Sequence, residues 1–393
     1  MNNYTLLRGP FSSRSGYGDK ARGIARSFLD LGHTVKLVDT PWGSCPTTEL
    51  VDSPLSEYVL KHDDILSATP DVYVNIDLPN TMEKVGALNI LFTSGVEATA
   101  ISPEWINVMN QNADLVIVPS TFVRDVFEST EYRDGDNLLK LTVPVEVIPE
   151  SYDETLVCEP GDMSILNDIR ETFCFLHVGQ WIDGPLYEDR KDIARLVKTF
   201  LETFRNTTDA PALILKTSGA STSIIDYQAI QTKIDYIKAS IQGNLPSVYV
   251  LHGDLTSEEM HALYTHSKVK CFVTFTRGEG FGRPILEATV LGLPVVASGW
   301  SGHMDFLKKE YSTLLPGKLV GINTRAMQPG IFVAGSQWFS ADYSAARNVL
   351  YDVRTKYNKY ASNAKRLRPI NRAKYSHKKV TGMLSDCLTK HTT

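Results

Sequence analysis

The sequence predicts an α/β protein of two doubly wound domains, and three observations carry that reading. Its 393 residues exceed what one hydrophobic core usually supports. Short, nearly continuous apolar runs alternate with helix-like stretches, the texture of strands buried on both faces of a parallel sheet. A polar stretch without period, residues 150–168 with Pro160 and Gly161, interrupts this series once, and the series then begins again. We therefore expect an N-terminal domain over residues 1–155, a C-terminal domain over 165–350, and a basic helical segment over 351–393.

The first series opens with an apolar run at 4–7, then a loop rich in Gly and Ser. A helix over 19–31 places Ile24, Ala25, Phe28 and Leu29 on one face, Gly32 closes it, and a strand at 34–38 completes a βαβ unit. Strands at 72–76, 89–93, 115–118 and 145–148 continue the pattern. The second series predicts strands at 173–178, 212–216, 248–251, 269–275 and 294–298, with helices at 192–204, 225–241, 257–267 and 284–291 between them. Thr256 and Glu259 form an S/T-x-x-E capping box, which fixes where the helix at 257 starts.

Composition narrows the class only slightly: 42% hydrophobic and 22% charged residues are ordinary for a globular chain. No run approaches about 18 consecutive apolar residues, and residues 1–13 hold no apolar stretch of secretory length, so a cytoplasmic protein is expected. The five cysteines are odd in number and far apart, which argues against a disulfide framework or a CxxC metal site. The net charge of −5 hides an asymmetry: residues 351–393 hold eleven Lys and Arg against Asp352 and Asp386, a balance of +9, which leaves −14 elsewhere. That segment reads as a solvated helical face or as a dock for an anionic acceptor, DNA or a lipid surface.

The chemistry concentrates in Arg277-Gly278-Glu279-Gly280-Phe281-Gly282-Arg283-Pro284-Ile285-Leu286-Glu287, which follows a strand and enters a helix. Pro284 suits a first helical turn. Gly278, Gly280 and Gly282 let the backbone approach a ligand closely. Glu279 and Glu287 offer carboxylates for vicinal hydroxyls, and the helix N-terminus favours negative charge. Ligands of doubly wound sheets bind beyond the C-terminal strand ends, so the loops at 9–18, 179–190 and 276–283 are expected to share a cleft.

The run from Arg277 to Glu287, continued by Leu291-Gly292-Leu293-Pro294 and Gly299-Trp300-Ser301-Gly302, resembles the E-x7-E signature of retaining GT-B glycosyltransferases of family 4. His252-Gly253-Asp254 and Ser257-Glu258-Glu259-Met260 are similar to the strand and helix that precede it. The resemblance implies two Rossmann-like domains facing across a cleft, with a C-terminal helix crossing back to the N-terminal domain. It implies that Glu279 lies against the transferred sugar, that Glu287 binds the ribose, and that Gly280, Phe281, Gly282 and Arg283 line the donor. Backbone amides of Ser301, Gly302 and His303 would meet the donor phosphates, and Lys191 with Arg190 would neutralise the diphosphate. Gln180 stands where many members carry an Arg, so either Arg190 acts alone or the 181–188 insertion reshapes the site. Ser15-Gly16-Tyr17-Gly18 is similar to the family's glycine-rich loop; it is too short for a dinucleotide fingerprint, whose acidic residue Asp39 matches only loosely. Glu97 stands in a region where many members place a His, and is expected to bind acceptor or sugar hydroxyls.

The donor implied is a nucleoside-diphosphate sugar, UDP-sugar foremost, with no metal and no further cofactor, since no suitably placed DxD motif is present. The opening residues, 6–10 and 38–43, resemble glycosyltransferases carried by tailed phages, which adds hydroxymethylated DNA to glycans and lipids as acceptors. Two other classes stay open: an epimerase- or phosphorylase-like enzyme on the same frame, and a non-catalytic sugar-nucleotide or nucleic-acid binding module.

Overall fold

The computed structural model describes residues 3–61, 68–182, 184–219, 221–328 and 330–391. Parts of the 181–188 insertion and of the basic segment's end therefore lie outside the described residues. The chain divides into two compact units, residues 1–151 with 328–336 and 374–393, and residues 152–327 with 337–373.

The first unit contains β1 (Tyr4–Gly9), α1 (Gly16–Asp30), β2 (Thr34–Asp39), β3 (Val72–Ile76), β4 (Leu88–Phe92), α2 (Pro103–Asn112), β5 (Leu115–Val118), α3 (Thr121–Ser129), β6 (Glu131–Asp134), β7 (Asn137–Lys140) and β8 (Val145–Val147). Six of these strands form a parallel sheet in the order β2-β1-β3-β4-β5-β8. Every residue of β3 and β5 is buried, as continuous apolar runs require. Helix α1 begins three residues before the apolar period does, because the Ser15 hydroxyl accepts the Gly18 N–H and starts the helix inside the glycine-rich loop. The polar hairpin β6–β7 has no apolar alternation; its only signal is the turn at Gly135-Asp136, with Gly135 at φ +59°.

The second unit contains β9 (Cys174–Val178), α4 (Ile193–Phe204), β10 (Ala212–Lys216), α5 (Ile224–Ala239), β11 (Val248–Leu251), α6 (Ser257–Thr265), β12 (Val269–Val273), α7 (Arg283–Val290), β13 (Val295–Ser298), β14 (Thr313–Leu315), β15 (Gly317–Gly321), β16 (Gln337–Ala341), α8 (Tyr343–Thr355) and α9 (Tyr357–Lys374). Its parallel sheet runs β11-β10-β9-β12-β13-β14, so β9 and β12 are neighbours and the loops that follow them emerge side by side. The capping box is formed in full: Thr256 accepts from the Glu259 N–H, and Glu259 accepts from the Thr256 N–H. Residues 150–168 are not the free linker that their polarity suggests. They form short 3-10 turns over Glu154–Val157 and Ser164–Asp168 that bury Leu156 and Leu166. Asp153 accepts from the Ser257 hydroxyl at 2.9 Å, and Lys268 Nζ donates to the Leu166 and Asn167 carbonyls at 3.0 and 2.9 Å. These partners are distant in sequence, so no local pattern announces them.

The last helix, α10 (His377–His391), returns to the first unit. Val380, Leu384, Cys387 and Leu388 join the core that holds Ala25 and Phe28 of α1. Its polar residues are tied in as well: Thr381 Oγ1 lies 2.8 Å from Ser27 Oγ, His377 meets Asp30 at 2.8 Å, and Lys390 and His391 both reach Glu146. Leu384→Ala should cost about 2–5 kcal/mol, the range for a buried leucine cut back in a packed core. Chemical unfolding measures this, and a loss under about 1 kcal/mol would mean that α10 is not a core element.

Candidate functional site

The loops after β9 and β12 bring three of the expected residues together. Glu279, 7% exposed, accepts from Lys191 Nζ at 2.6 Å, and Arg190 Nη1 stands 3.7 Å from its other oxygen. The Thr276 hydroxyl donates to the same carboxylate at 2.7 Å. Burial alone would raise the carboxyl's pKa, but the charges of Lys191 and Arg190 and the hydrogen bonds from Lys191 and Thr276 outweigh it and hold Glu279 at about 2. The carboxylate is thus ionised at neutral pH and can only accept hydrogen bonds.

The backbone of this loop is held against residues 301–303. The Glu279 N–H donates to Ser301 Oγ at 3.0 Å, and the Gly302 N–H donates to the Glu279 carbonyl at 2.9 Å. A Cβ on Gly302 would lie 2.0 Å from the Gly280 carbonyl oxygen, so only glycine allows this approach. Ser301 adopts φ +81°, ψ −165°, a conformation that costs a non-glycine residue of order 1–3 kcal/mol. His303 is fully buried; its Nε2–H donates to the Ser298 carbonyl at 2.7 Å, and burial lowers its pKa, so the imidazole is neutral and serves as a strut. Phe281 likewise packs edge-on against Phe306, leaving the loop's backbone rather than this ring for a ligand.

Gly282, at φ +96°, precedes α7 without a capping side chain, and Arg283 opens the helix. Glu287, partly buried in the second turn, accepts from the Tyr264 hydroxyl at 3.0 Å. Arg283 lies near enough to Asp153 to favour that carboxylate's charged form, against its burial. Gln180 is exposed on the loop after β9. The neighbouring insertion does more than Gln180: Trp181 is buried, and the Tyr187 and Asp189 carbonyls accept from the Arg277 guanidinium at 2.9 and 3.3 Å.

In the first unit, the glycine-rich loop is shaped by contacts of its own. Gly18 packs on the Ser13 carbonyl, where a Cβ would come within 2.0 Å, while Gly16 is exposed. Arg22 Nη1 donates to the Phe11 and Ser13 carbonyls at 2.8 and 2.9 Å. Tyr17 stacks on Trp42 with ring centroids 4.1 Å apart, and its hydroxyl accepts from the Ser94 N–H at 2.9 Å. Burial, with a smaller contribution from the nearby Glu97 charge, pushes the Tyr17 phenol up to about 12. The Glu97 charge thus lies within electrostatic reach of Tyr17. Asp39 accepts from the Ser12 N–H at 2.9 Å and so holds the loop, which is not the ribose contact of a dinucleotide fingerprint. Arg14 pairs with Glu49 at 3.5 Å.

Sequence reasoning did not single out Thr276, Tyr264, Trp42 or Asp192. Asp192 is fully buried, pairs with Arg277 at 3.1 Å and accepts from the Tyr343 hydroxyl at 2.6 Å. Its partners stand 85 and 151 positions away, too far for spacing to connect them. Lys20 is also buried; burial lowers its ammonium to about 8 against the Glu150 charge, and it reaches Ser94 Oγ at 3.3 Å. Among the described residues no group of three His, Cys, Asp or Glu is placed to hold a metal ion, and no helix is long and apolar enough to cross a membrane.

Residues 231–320 match the model of the family described as Glycosyl transferases group 1. No curated protein matches the chain. Among solved structures, the chain is similar to Anabaena HepE, solved in complex with UDP and glucose, at 14% identity and a TM-score of 0.64, over 99% of this chain and 100% of that one. It is similar to sucrose-phosphate synthase from Thermosynechococcus elongatus at 13% identity and a TM-score of 0.64, over 99% and 98%. It is similar to WaaG, a glycosyltransferase involved in lipopolysaccharide biosynthesis, at 12% identity and a TM-score of 0.60, over 96% and 99%. The fold is GT-B, and the match to the group 1 family model lies within the second unit.

The Glu279 charge network has a pH signature. A carboxylate whose folded pKa is depressed stabilises the fold fully above its ordinary value of 4.5, and that contribution fades as pH falls through about 2. Lys191→Met removes the nearest cation and leaves the burial, so the variant should be less stable at pH 7. The gap to wild type should close as pH falls below 4.5. Urea unfolding across pH 3–7 reads it, and a gap independent of pH would mean that Lys191 does not govern the ionisation of Glu279.

Proposed function

We propose that this glycosyltransferase moves a hexose-type sugar from a nucleoside-diphosphate sugar, UDP-sugar foremost, to an acceptor hydroxyl with retention at the anomeric carbon and without a metal, as a family 4 enzyme. The observation that carries the reading is the pairing of Lys191 and Arg190 with the ionised Glu279 at the ends of two adjacent parallel strands. In the absence of donor the two cations are satisfied by Glu279. A bound diphosphate would share them, and as the sugar–phosphate bond breaks they would meet the negative charge that develops on the leaving group. The Gly302 amide is engaged by the Glu279 carbonyl, so the His303 amide and the start of α7 add to that stabilisation.

Glu279, held as an acceptor, takes hydroxyl protons of the transferred sugar; Glu287, oriented by Tyr264, takes those of the ribose. Glu97 and the loop at Gly16, Tyr17 and Gly18 receive acceptor or sugar hydroxyls. Of the acceptor classes, a glycan or lipid is favoured over hydroxymethylated DNA, because part of the basic C-terminal charge is already engaged within the fold. Lys390 pairs with Glu146, Lys356 with Asp352, Arg372 donates to the Val290 carbonyl, and Arg354 lies over the Phe173 ring. The uridine preference is supported by the HepE structures with UDP and UDP-glucose. A cytoplasmic setting belongs to the same reading and is supported by five free cysteines.

A thermal-shift and hydrolysis screen over UDP-, GDP- and ADP-sugars tests the reading, and stabilisation by none of them would remove it. Glu279→Gln should lower turnover about 10²–10³-fold, the scale of one lost preorganised contact to the reacting sugar, while UDP still binds. Glu287→Ala should weaken UDP about 10–100-fold, the equivalent of roughly 1.5–3 kcal/mol of charged hydrogen bonding. Transfer without an acceptor, or to phosphate, would favour the phosphorylase-like alternative; binding without turnover would favour the module.

A further inference from the structure

We propose that the buried Asp192–Arg277 ion pair positions Lys191 against Glu279, so that these two residues control turnover without touching the substrate. The inference rests on the reading of Lys191 and Glu279 given above and adds two residues to it.

Asp192 directly follows Lys191, and Arg277 stands two positions before Glu279. The loops that carry them run side by side and are joined repeatedly. Lys191 Nζ meets Glu279 at 2.6 Å, the Arg277 N–H donates to the Arg190 carbonyl at 2.8 Å, Arg190 Nη1 donates to the Gly278 carbonyl at 3.1 Å, and Arg277 Nη2 meets Asp192 Oδ1 at 3.1 Å. The two ion pairs differ in surroundings. Lys191 and Arg190 keep 14% and 24% of their side-chain surface, enough to meet a ligand, whereas Asp192 and Arg277 keep 0% and 6%.

Asp192 is also held from behind. It adopts φ +53°, a left-handed conformation that an aspartate tolerates better than most residues, and it does not cap α4. That role falls to Asp189, whose Oδ2 accepts the Ile193 N–H at 2.9 Å. The Asp192 side chain is thereby left for Arg277 on one oxygen and for the Tyr343 hydroxyl, at 2.6 Å, on the other. Arg277 is fixed in turn by the Tyr187 and Asp189 carbonyls and by the face of Trp338, 5.1 Å from its guanidinium. The Phe339 N–H donates to the Arg277 carbonyl at 2.9 Å, which ties β16 to the same loop. A buried pair in which both Asp192 oxygens are engaged and the Arg277 guanidinium reaches three acceptors resists displacement, so Lys191 and Glu279 inherit a fixed separation.

Asp192→Asn and Tyr343→Phe test the idea; the second removes one hydroxyl and retains the ion pair if the first fails to fold. Hydrogen exchange of the intact protein is expected to rise in peptides covering 187–192 and 276–282 and to stay unchanged in β10 and α5. With a turned-over nucleotide sugar, kcat should fall about tenfold in Asp192→Asn and about threefold in Tyr343→Phe, with UDP affinity within twofold of wild type. Unchanged exchange in both loops, or a loss of UDP affinity that matches the loss in kcat, would overturn the proposal. If exchange rises as expected while wild type turns over no nucleotide sugar, the clamp stands and the glycosyl-transfer reading falls.

Discussion

Glu279 is buried and ionised, and that condition demands positive charge within a few ångströms. The loops after β9 and β12 meet the demand from two sides, with Lys191 and Arg190 outermost and the Arg277–Asp192 pair beneath them. Much of the local architecture follows from that requirement. The glycines at 278, 280 and 282 bring the chain close, Ser301 accepts backbone strain to receive the Glu279 N–H, and Gly302 leaves no side chain where one would strike Gly280.

The parallel sheet makes this arrangement possible. Its crossovers place β12 next to β9 at the centre of the sheet although roughly 90 residues of sequence lie between them, so the two loops leave the C-terminal end of the sheet together. The same end of the sheet supplies the Ser298 carbonyl that accepts the hydrogen bond of the His303 Nε2–H, and a neutral imidazole there leaves the charge balance of the site to the lysine and arginines. The first unit has its own version of the same economy. Its glycine-rich loop is fixed by Arg22, by Asp39 and by the Tyr17–Trp42 stack, and the Glu97 charge reaches the Tyr17 phenol.

Much of the fold was legible in the chain itself. Strands buried on both faces are apolar at nearly every position, so β3, β5 and β10 stood out almost to the residue; the partly buried edge strand β11 carries the same kind of run, and the capping box located α6. What escaped was polar or paired at long range. The hairpin β6–β7 is too exposed to need apolar alternation, and β15 finds β16 across an intervening loop with no short turn to mark it. The stretch over 150–168 is held by Ser257 and Lys268, about a hundred positions away in sequence.

The sequence by itself determined the two parallel sheets, the glycine-rich loop that carries Glu279, and the residue types able to bind a sugar nucleotide. Those are properties of neighbours along the chain: periodicity, glycine where backbone must come close, proline and carboxylates at a helix start. Only the tertiary structure decided which charges meet. Glu279 at about 2, Asp192 spent on Arg277 and Tyr343, Asp39 spent on a loop N–H, Lys390 and Lys356 spent on Glu146 and Asp352, and Arg372 spent on the Val290 carbonyl all depend on distance in space and on burial. Electrostatic strength is set by separation and by exclusion of water, and a linear sequence records neither.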